Sequence, residues 1–388
     1  MNALTALTAA AVLCPILLLA DARYQAACIP FPDRHAGRVL AVNSSGQVLA
    51  TECDLAVPQN CTAFLWTKHG VTRVASFQAD TMMDFHLNDT GQVATLRSGV
   101  SASATKSIVL WSERTGLQEI GTAEHPDILR LTNSGVILGS VKAFSTREIF
   151  VAATAFGVRY MQLPATAGTM AIAGITQQGI VTGGIVLDLY EPCDWPCYRV
   201  NIFRGTPWDG LKYLNTPDSS ALGWGGLAAN ARGEVAGSMY SGSWGNLFLW
   251  TQNRGFQRAT LPSRTNNYLL LSDGGHVVGT HQWGMWAHTF VWDGTGEAVD
   301  LGTLPGLPET VGEAVNKHGQ IVGRASEFRS NAFVWSRDAG MFDLGPGLAS
   351  AINDAGLVAG VRGNGSRSGP DGTNPAELCV WKPRGNVR

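Results

Sequence analysis

The chain has 388 residues, and 45% of them are hydrophobic, which is ample for a large core. Its 28 Lys and Arg against 30 Asp and Glu leave a formal charge of −2, with no basic run or stripe, so a nucleic-acid footprint is excluded. Only 15% of the residues are charged, while 46 are Gly and 12 are Trp.

Residues 1–20 are apolar and rich in Ala and Leu, and Ala20-Asp21-Ala22 follows with small-x-small spacing. This predicts a signal peptide over residues 1–22 and a single mature domain over 23–388, with no membrane span after cleavage. The start carries no Lys or Arg, so an uncleaved anchor is the alternative. A lipoprotein cleavage before Cys28 is disfavoured by Gln25. Cys14 lies inside the signal, leaving Cys28, Cys53, Cys61, Cys193, Cys197 and Cys379. An even number in an exported chain points to disulfides. Cys53 with Cys61, and Cys193 with Cys197, read as local staples, and zinc is the alternative for these four.

From residue 36 onward one unit recurs. Its turn glycines are Gly46, Gly91, Gly135, Gly179, Gly233, Gly275, Gly319 and Gly356, at steps of 45, 44, 44, 54, 42, 44 and 37 residues. The first strands read Ala41-Val-Asn43, His86-Leu-Asn88, Leu131-Thr-Asn133, Gly174-Ile-Thr176, Ala228-Ala-Asn230, Leu270-Leu-Ser272, Ala314-Val-Asn316 and Ala351-Ile-Asn353. The third strands carry Phe64-Leu-Trp66, Val109-Leu-Trp111, Phe150-Val-Ala152, Phe203-Arg-Gly205, Phe248-Leu-Trp250, Phe290-Val-Trp292, Phe333-Val-Trp335 and Cys379-Val-Trp381.

Unit seven shows the physics most clearly. Asn316-Lys-His-Gly319 fits a tight turn in which Asn bonds its own backbone and Gly takes a positive φ. The short β-branched and aromatic runs on either side have no helical spacing and predict a four-stranded meander, with the fourth strand over residues 341–345. Phe333 and Trp335 point to one face and Val334 to the other, so both faces need cover and neighbouring units must stack. Period and strand count predict an all-β fold: an eight-bladed β-propeller of four-stranded antiparallel blades. The last unit ends without room for a fourth strand. Residues 24–31 are expected to supply it as an edge strand, which tolerates Pro30 and Pro32 and sets Cys28 beside Cys379.

The pattern Ala-Val/Ile-Asn-x-x-Gly-x-Val-x-Gly, then Ala-Phe-Val-Trp, then Asp300-Leu-Gly-Thr-Leu-Pro-Gly306, resembles the HAF-repeat family of extracellular repeat proteins. The name triplet occurs in altered form as Thr62-Ala-Phe64, His288-Thr-Phe290 and Asn331-Ala-Phe333. The resemblance spans most of residues 36–385 and is weakest in units three and four. It implies an exported repeat protein and carries no catalytic residues.

In a meander the connections after strands one and three share one face, and those after strands two and four share the other. The second set reads as long and varied, which makes that face the candidate for ligand contact. Trp195, Trp224, Trp244, Trp283 and Trp286 fall there, in units four to six, with Tyr190, Tyr198, Tyr240, His281 and His288, whereas Trp208 does not. Two readings stay open: an aromatic platform for sugar rings or a protein segment, or loops folded on their own aromatics. His276 is separated from His281 and His288 by the strand between them, and two imidazoles with no placeable carboxylate make no metal site. The polar loop near Asp371 lacks calcium spacing. No Gly-x-Ser-x-Gly elbow or His-Glu-x-x-His helix is present, and no cofactor is called for. The sequence therefore predicts a monomeric, extracytoplasmic glycan- or protein-binding module. A polysaccharide hydrolase or lyase working at the central channel, and a purely structural surface protein, are the alternatives.

Overall fold

The computed structural model describes residues 23–30, 35–54, 61–77, 84–98, 105–142, 147–162, 168–189, 197–214, 223–241, 244–261, 265–327, 330–363 and 377–384; the expected signal peptide lies outside them. Every named element among these residues is a β-strand. Six sheets are four-stranded, antiparallel and ordered as the chain runs. The first, His35–Val42, Val48–Asp54, Cys61–Thr67 and Gly70–Phe77, is typical.

A further sheet has seven strands because two units share one. Gly340–Ile352 pairs through residues 340–346 with Ser330–Ser336, and through residues 347–352 with Val358–Arg362. The fourth strand of unit seven thus does not stop near residue 345 as its pattern suggests. Gly345 and Gly347 both have positive φ (90° and 144°) and let the chain bend around Pro346 without leaving extended pairing. At the far edge Tyr24–Pro30 runs antiparallel to Glu377–Pro383, and Cys28 lies opposite Cys379 in a disulfide with Cα atoms 4.1 Å apart. Cys53 and Cys61 form the second disulfide. Cys193 lies outside the described residues.

Alternation of side chains explains the stacking. Phe333 and Trp335 pack on Val278, Val291 and Leu301 of the preceding unit, while Val334 packs on Ala349, Val358 and Trp381 of the following one. The first unit does the same on both sides: Leu49 and Leu65 meet Val93 and Trp111, and Val39, Val48 and Ala50 meet Ala351, Ala359 and Leu378. The last unit therefore packs on the first. The repeat's second-strand glycine has a defined partner. Gly139, Gly237 and Gly279 face Phe150, Phe248 and Phe290 across the strand pair. A Cβ at any of them would run into that phenylalanine ring.

The turn Asn forms a belt. Asn43 Oδ1 accepts the N–H groups of Ser45 and Gln47, closing its own turn. Its Nδ2 donates to the carbonyl of Asn88 in the next unit at 3.0 Å. Asn88 repeats this to Thr132, Asn230 to Ser272, Asn316 to Asn353, and Asn353 returns to Asn43 at 2.8 Å. In unit three the belt position holds Thr132 rather than Asn133, so the triplet is Arg130-Leu131-Thr132, one residue earlier than the sequence suggests. Asn133 joins an outer set instead, in which the residue after the belt position receives a backbone N–H from the unit before. Ser44 donates to Asp89, Asp89 to Asn133, Asn133 to Gln177, Ala231 to Asp273 and Lys317 to Asp354.

Candidate functional site

The aromatic residues singled out in units five and six sit at strand ends. Trp224 is the second residue of Gly223–Ala229, Tyr240 lies in Val235–Ser241 and Trp244 opens Trp244–Thr251. Trp283 closes Val277–Trp283 and Trp286 opens Trp286–Trp292. The expectation of long loops here is corrected. Ser241 pairs with Trp244 and Trp283 with Trp286, so each connection is only two residues long. The ladders run to the tip, and the aromatics are carried on paired backbone rather than on loose segments. Unit four differs, since Leu189 pairs with Cys197 across a longer connection that holds Trp195, outside the described residues.

At the tip of unit six Met285 is 83% exposed, and Trp286 is partly exposed. Gly284 takes φ 61°, as the turn requires. Beneath the tip His281 pairs with His288 across the ladder. Asp300, at the end of the fourth strand, joins both. Its Oδ2 accepts Nε2–H of His281 at 3.1 Å and Nδ1–H of His288 at 3.0 Å. Its Oδ1 accepts the backbone N–H of Gly302 at 2.7 Å. Burial alone would raise the Asp300 carboxyl, but the His281, Gly302 and His288 donors outweigh it and hold it at about 2. Asp300 therefore stays ionised and ties three strands together under the hairpin.

This carboxylate is the residue that sequence reasoning could not place, and it lies within a quoted motif. The same clasp recurs in unit seven, where Asp343 accepts Nδ2–H of Asn331 at 2.9 Å and the N–H of Gly345 at 2.7 Å. The first residue of the altered name triplet and the Asp of Asp-Leu-Gly are thus bonding partners. His276 lies apart, bonded to Ser272 within the turn on the opposite face. Trp208 is also on that face, 64% exposed, edge-on to Phe156 and under Arg159. The one grouping of metal-ligand type among the described residues, Cys28, Glu377 and Cys379, has both sulfurs in the disulfide. Among the described residues no helix is long and apolar enough to cross a membrane.

No family model matches the chain, and no curated protein does. Solved structures do match. The β-propeller domain of the Trilobed protease from Pyrococcus furiosus, with an open velcro topology, aligns at a TM-score of 0.53 and 12% identity over 79% of this chain and 97% of its own. The Dos1 propeller aligns at 0.52 and 12% over 92% and 95%. Porphyromonas gingivalis dipeptidyl peptidase 4 aligns at 0.52 and 12% over 85% of this chain, which spans 56% of that enzyme. At such identities the likeness speaks for architecture alone: the chain is an all-β protein with a β-propeller-like fold.

Proposed function

We propose that this chain is an exported repeat protein of the HAF-repeat type that binds a glycan or protein ligand through the aromatic edge of units four to six. The observation that carries this reading is the hairpin tip Trp283-Gly284-Met285-Trp286. It puts an 83% exposed Met between two Trp on a fully paired ladder, braced from below by Asp300. An exposed Met285 and a partly exposed Trp286 on a paired hairpin lose little backbone freedom when a ligand covers them, which favours binding. Tyr240, Trp244 and Trp224 at the matching sheet end of unit five extend the same edge.

The frame is read as an eight-bladed ring in which Gly340–Ile352 serves two blades and Tyr24–Pro30 completes the last. Eight turn glycines and the packing of the last unit on the first support that count. The two disulfides support an oxidising compartment outside the cytoplasm. The hydrolase alternative gains little from the central mouth, where Asp89 meets a burial effect that would raise it but is held below the usual carboxylate range by Ser44 and Asn133. A general acid needs the opposite shift.

The test is a glycan and polymer binding screen with the mature protein, followed by Trp244→Ala, Trp283→Ala and Trp286→Ala on any hit. Each substitution is expected to weaken binding by about tenfold, the loss of one stacked or buried aromatic contact. Affinity unchanged in all three variants sinks the proposed edge.

A further inference from the structure

On the face opposite the hairpin tips, the inner turns surround a cavity of about 320 Å³ at the axis. Its lining is mostly polar, with Ser44, Ser272, Asn316 and Asn353 beside a smaller apolar share from Val42, Leu271, Val315 and Ile352, and its rim carries Asp89, Asp273, Asp354, Arg130 and Lys317. The repeat accounts for the three acids, each of which accepts a backbone N–H from the unit before it. The two cations have no such origin. Arg130 stands where five other units carry Ala or Gly, two residues before the belt position. Lys317 stands in the outer set, where Asp89, Asn133, Gln177, Asp273 and Asp354 each offer an acceptor oxygen.

Donor and acceptor capacity at this rim is unequal. Asp89 receives Ser44 N–H on Oδ1 and Asn133 Nδ2–H on Oδ2. Asp354 receives Lys317 N–H on Oδ1 and Lys317 Nζ on Oδ2. Asp273 receives Ala231 N–H on Oδ1, and Arg130 Nη2 on both oxygens at 3.0 Å. Every carboxylate oxygen is engaged. Arg130, by contrast, reaches Asp273 from unit three with Nη2 alone. No protein acceptor reaches its Nη1 or Nε among the described residues. A guanidinium has five N–H donors in a fork that matches a second planar carboxylate, and an ammonium has three. The unused capacity is therefore on the donor side.

We infer that this mouth is a second binding site, for a small organic monocarboxylate whose head group takes the free edge of Arg130 beside Lys317 and whose short chain lies against the limited apolar share of the lining from Val42, Leu271, Val315 and Ile352. Three carboxylates against two cations leave the rim at a net charge of −1, which opposes a dianion such as phosphate about twice as strongly as a monoanion. The site is independent of the aromatic edge.

Calorimetric titration of the mature, disulfide-bonded protein with acetate, butanoate, hexanoate and inorganic phosphate at matched ionic strength tests it. Saturable carboxylate binding is expected to tighten by up to about fourfold per added CH₂ that is buried. Phosphate should bind more weakly than hexanoate. Arg130→Gln is expected to weaken hexanoate by about tenfold or more, the loss of a charge-assisted bond. Lys317→Met provides a second variant with the same expected direction should Arg130→Gln fail to fold, and Trp286→Ala should leave hexanoate affinity unchanged. No saturable carboxylate binding, phosphate binding as tight as hexanoate, or a folded Arg130→Gln or Lys317→Met variant with undiminished affinity would each overturn the assignment.

Discussion

Gly237 and Phe248 face each other across the second and third strands of unit five, and that pair states in two residues why the repeat alternates as it does. The ring lies over the glycine and leaves no volume for a methyl group there, so the strand gives up a side chain to seat an aromatic that is 5% exposed. Gly237→Ala is expected to lower stability by about 1–3 kcal/mol, the usual effect of overpacking a filled core, and to appear as a lower Tm in thermal denaturation. The pairing was legible as spacing, since Gly and Phe recur at fixed positions, but that one exists for the other became visible only in three dimensions. The opposite failure occurred at Thr132 and Asn133. Both are polar turn residues, and an alignment by residue type put Asn133 in the belt that Thr132 occupies. Arg130 was hidden by the same slip.

The hairpin of unit six shows what a single carboxylate contributes to an element. Asp300 joins Val277–Trp283, Trp286–Trp292 and the short strand Val299–Asp300 below the tip by bridging His281 and His288. Asp300→Asn replaces one acceptor oxygen with a donor that faces an imidazole N–H. The expected loss is about 1–3 kcal/mol, with faster amide hydrogen exchange over residues 281–290. Because the folded pKa is depressed from 3.8 to about 2, the ionised form stabilises the fold at all pH values above the ordinary carboxylate range, and this stabilisation is lost as pH falls from about 4 toward 2. The stability gap between wild type and Asp300→Asn should therefore be wide near neutrality and narrow toward pH 2 in acid unfolding curves. The sequence placed the strands because period-two alternation and turn glycines are local signals. It did not place Asp300, which is 12 residues from His288 and 19 from His281 and reads as ordinary repeat consensus. It also read tight turns as long loops, because the pairing of Trp283 with Trp286 is decided by the ladder below and leaves no mark in composition.

For the molecule as a whole, order depends on how head meets tail. Tyr24, 6% exposed, packs among Val334, Val358 and Trp381, so the amino-terminal strand belongs to the core as well as to an edge. The Cys28–Cys379 disulfide fixes that strand across a sequence separation of 351 residues. Paired Cys28→Ala and Cys379→Ala substitutions are expected to lower stability by about 4 kcal/mol or more in the loop-entropy model, well above the effect of Cys53→Ala with Cys61→Ala, whose loop spans 8 residues. Chemical denaturation of the two double variants under identical conditions checks the ranking. A clamp between the first and last strands also closes residues 28–379 into a single covalent ring through the disulfide. A protease that cuts any one surface turn between residues 28 and 379 releases nothing: the two pieces stay on one molecule, migrate together under oxidising conditions and part only when a reductant is added.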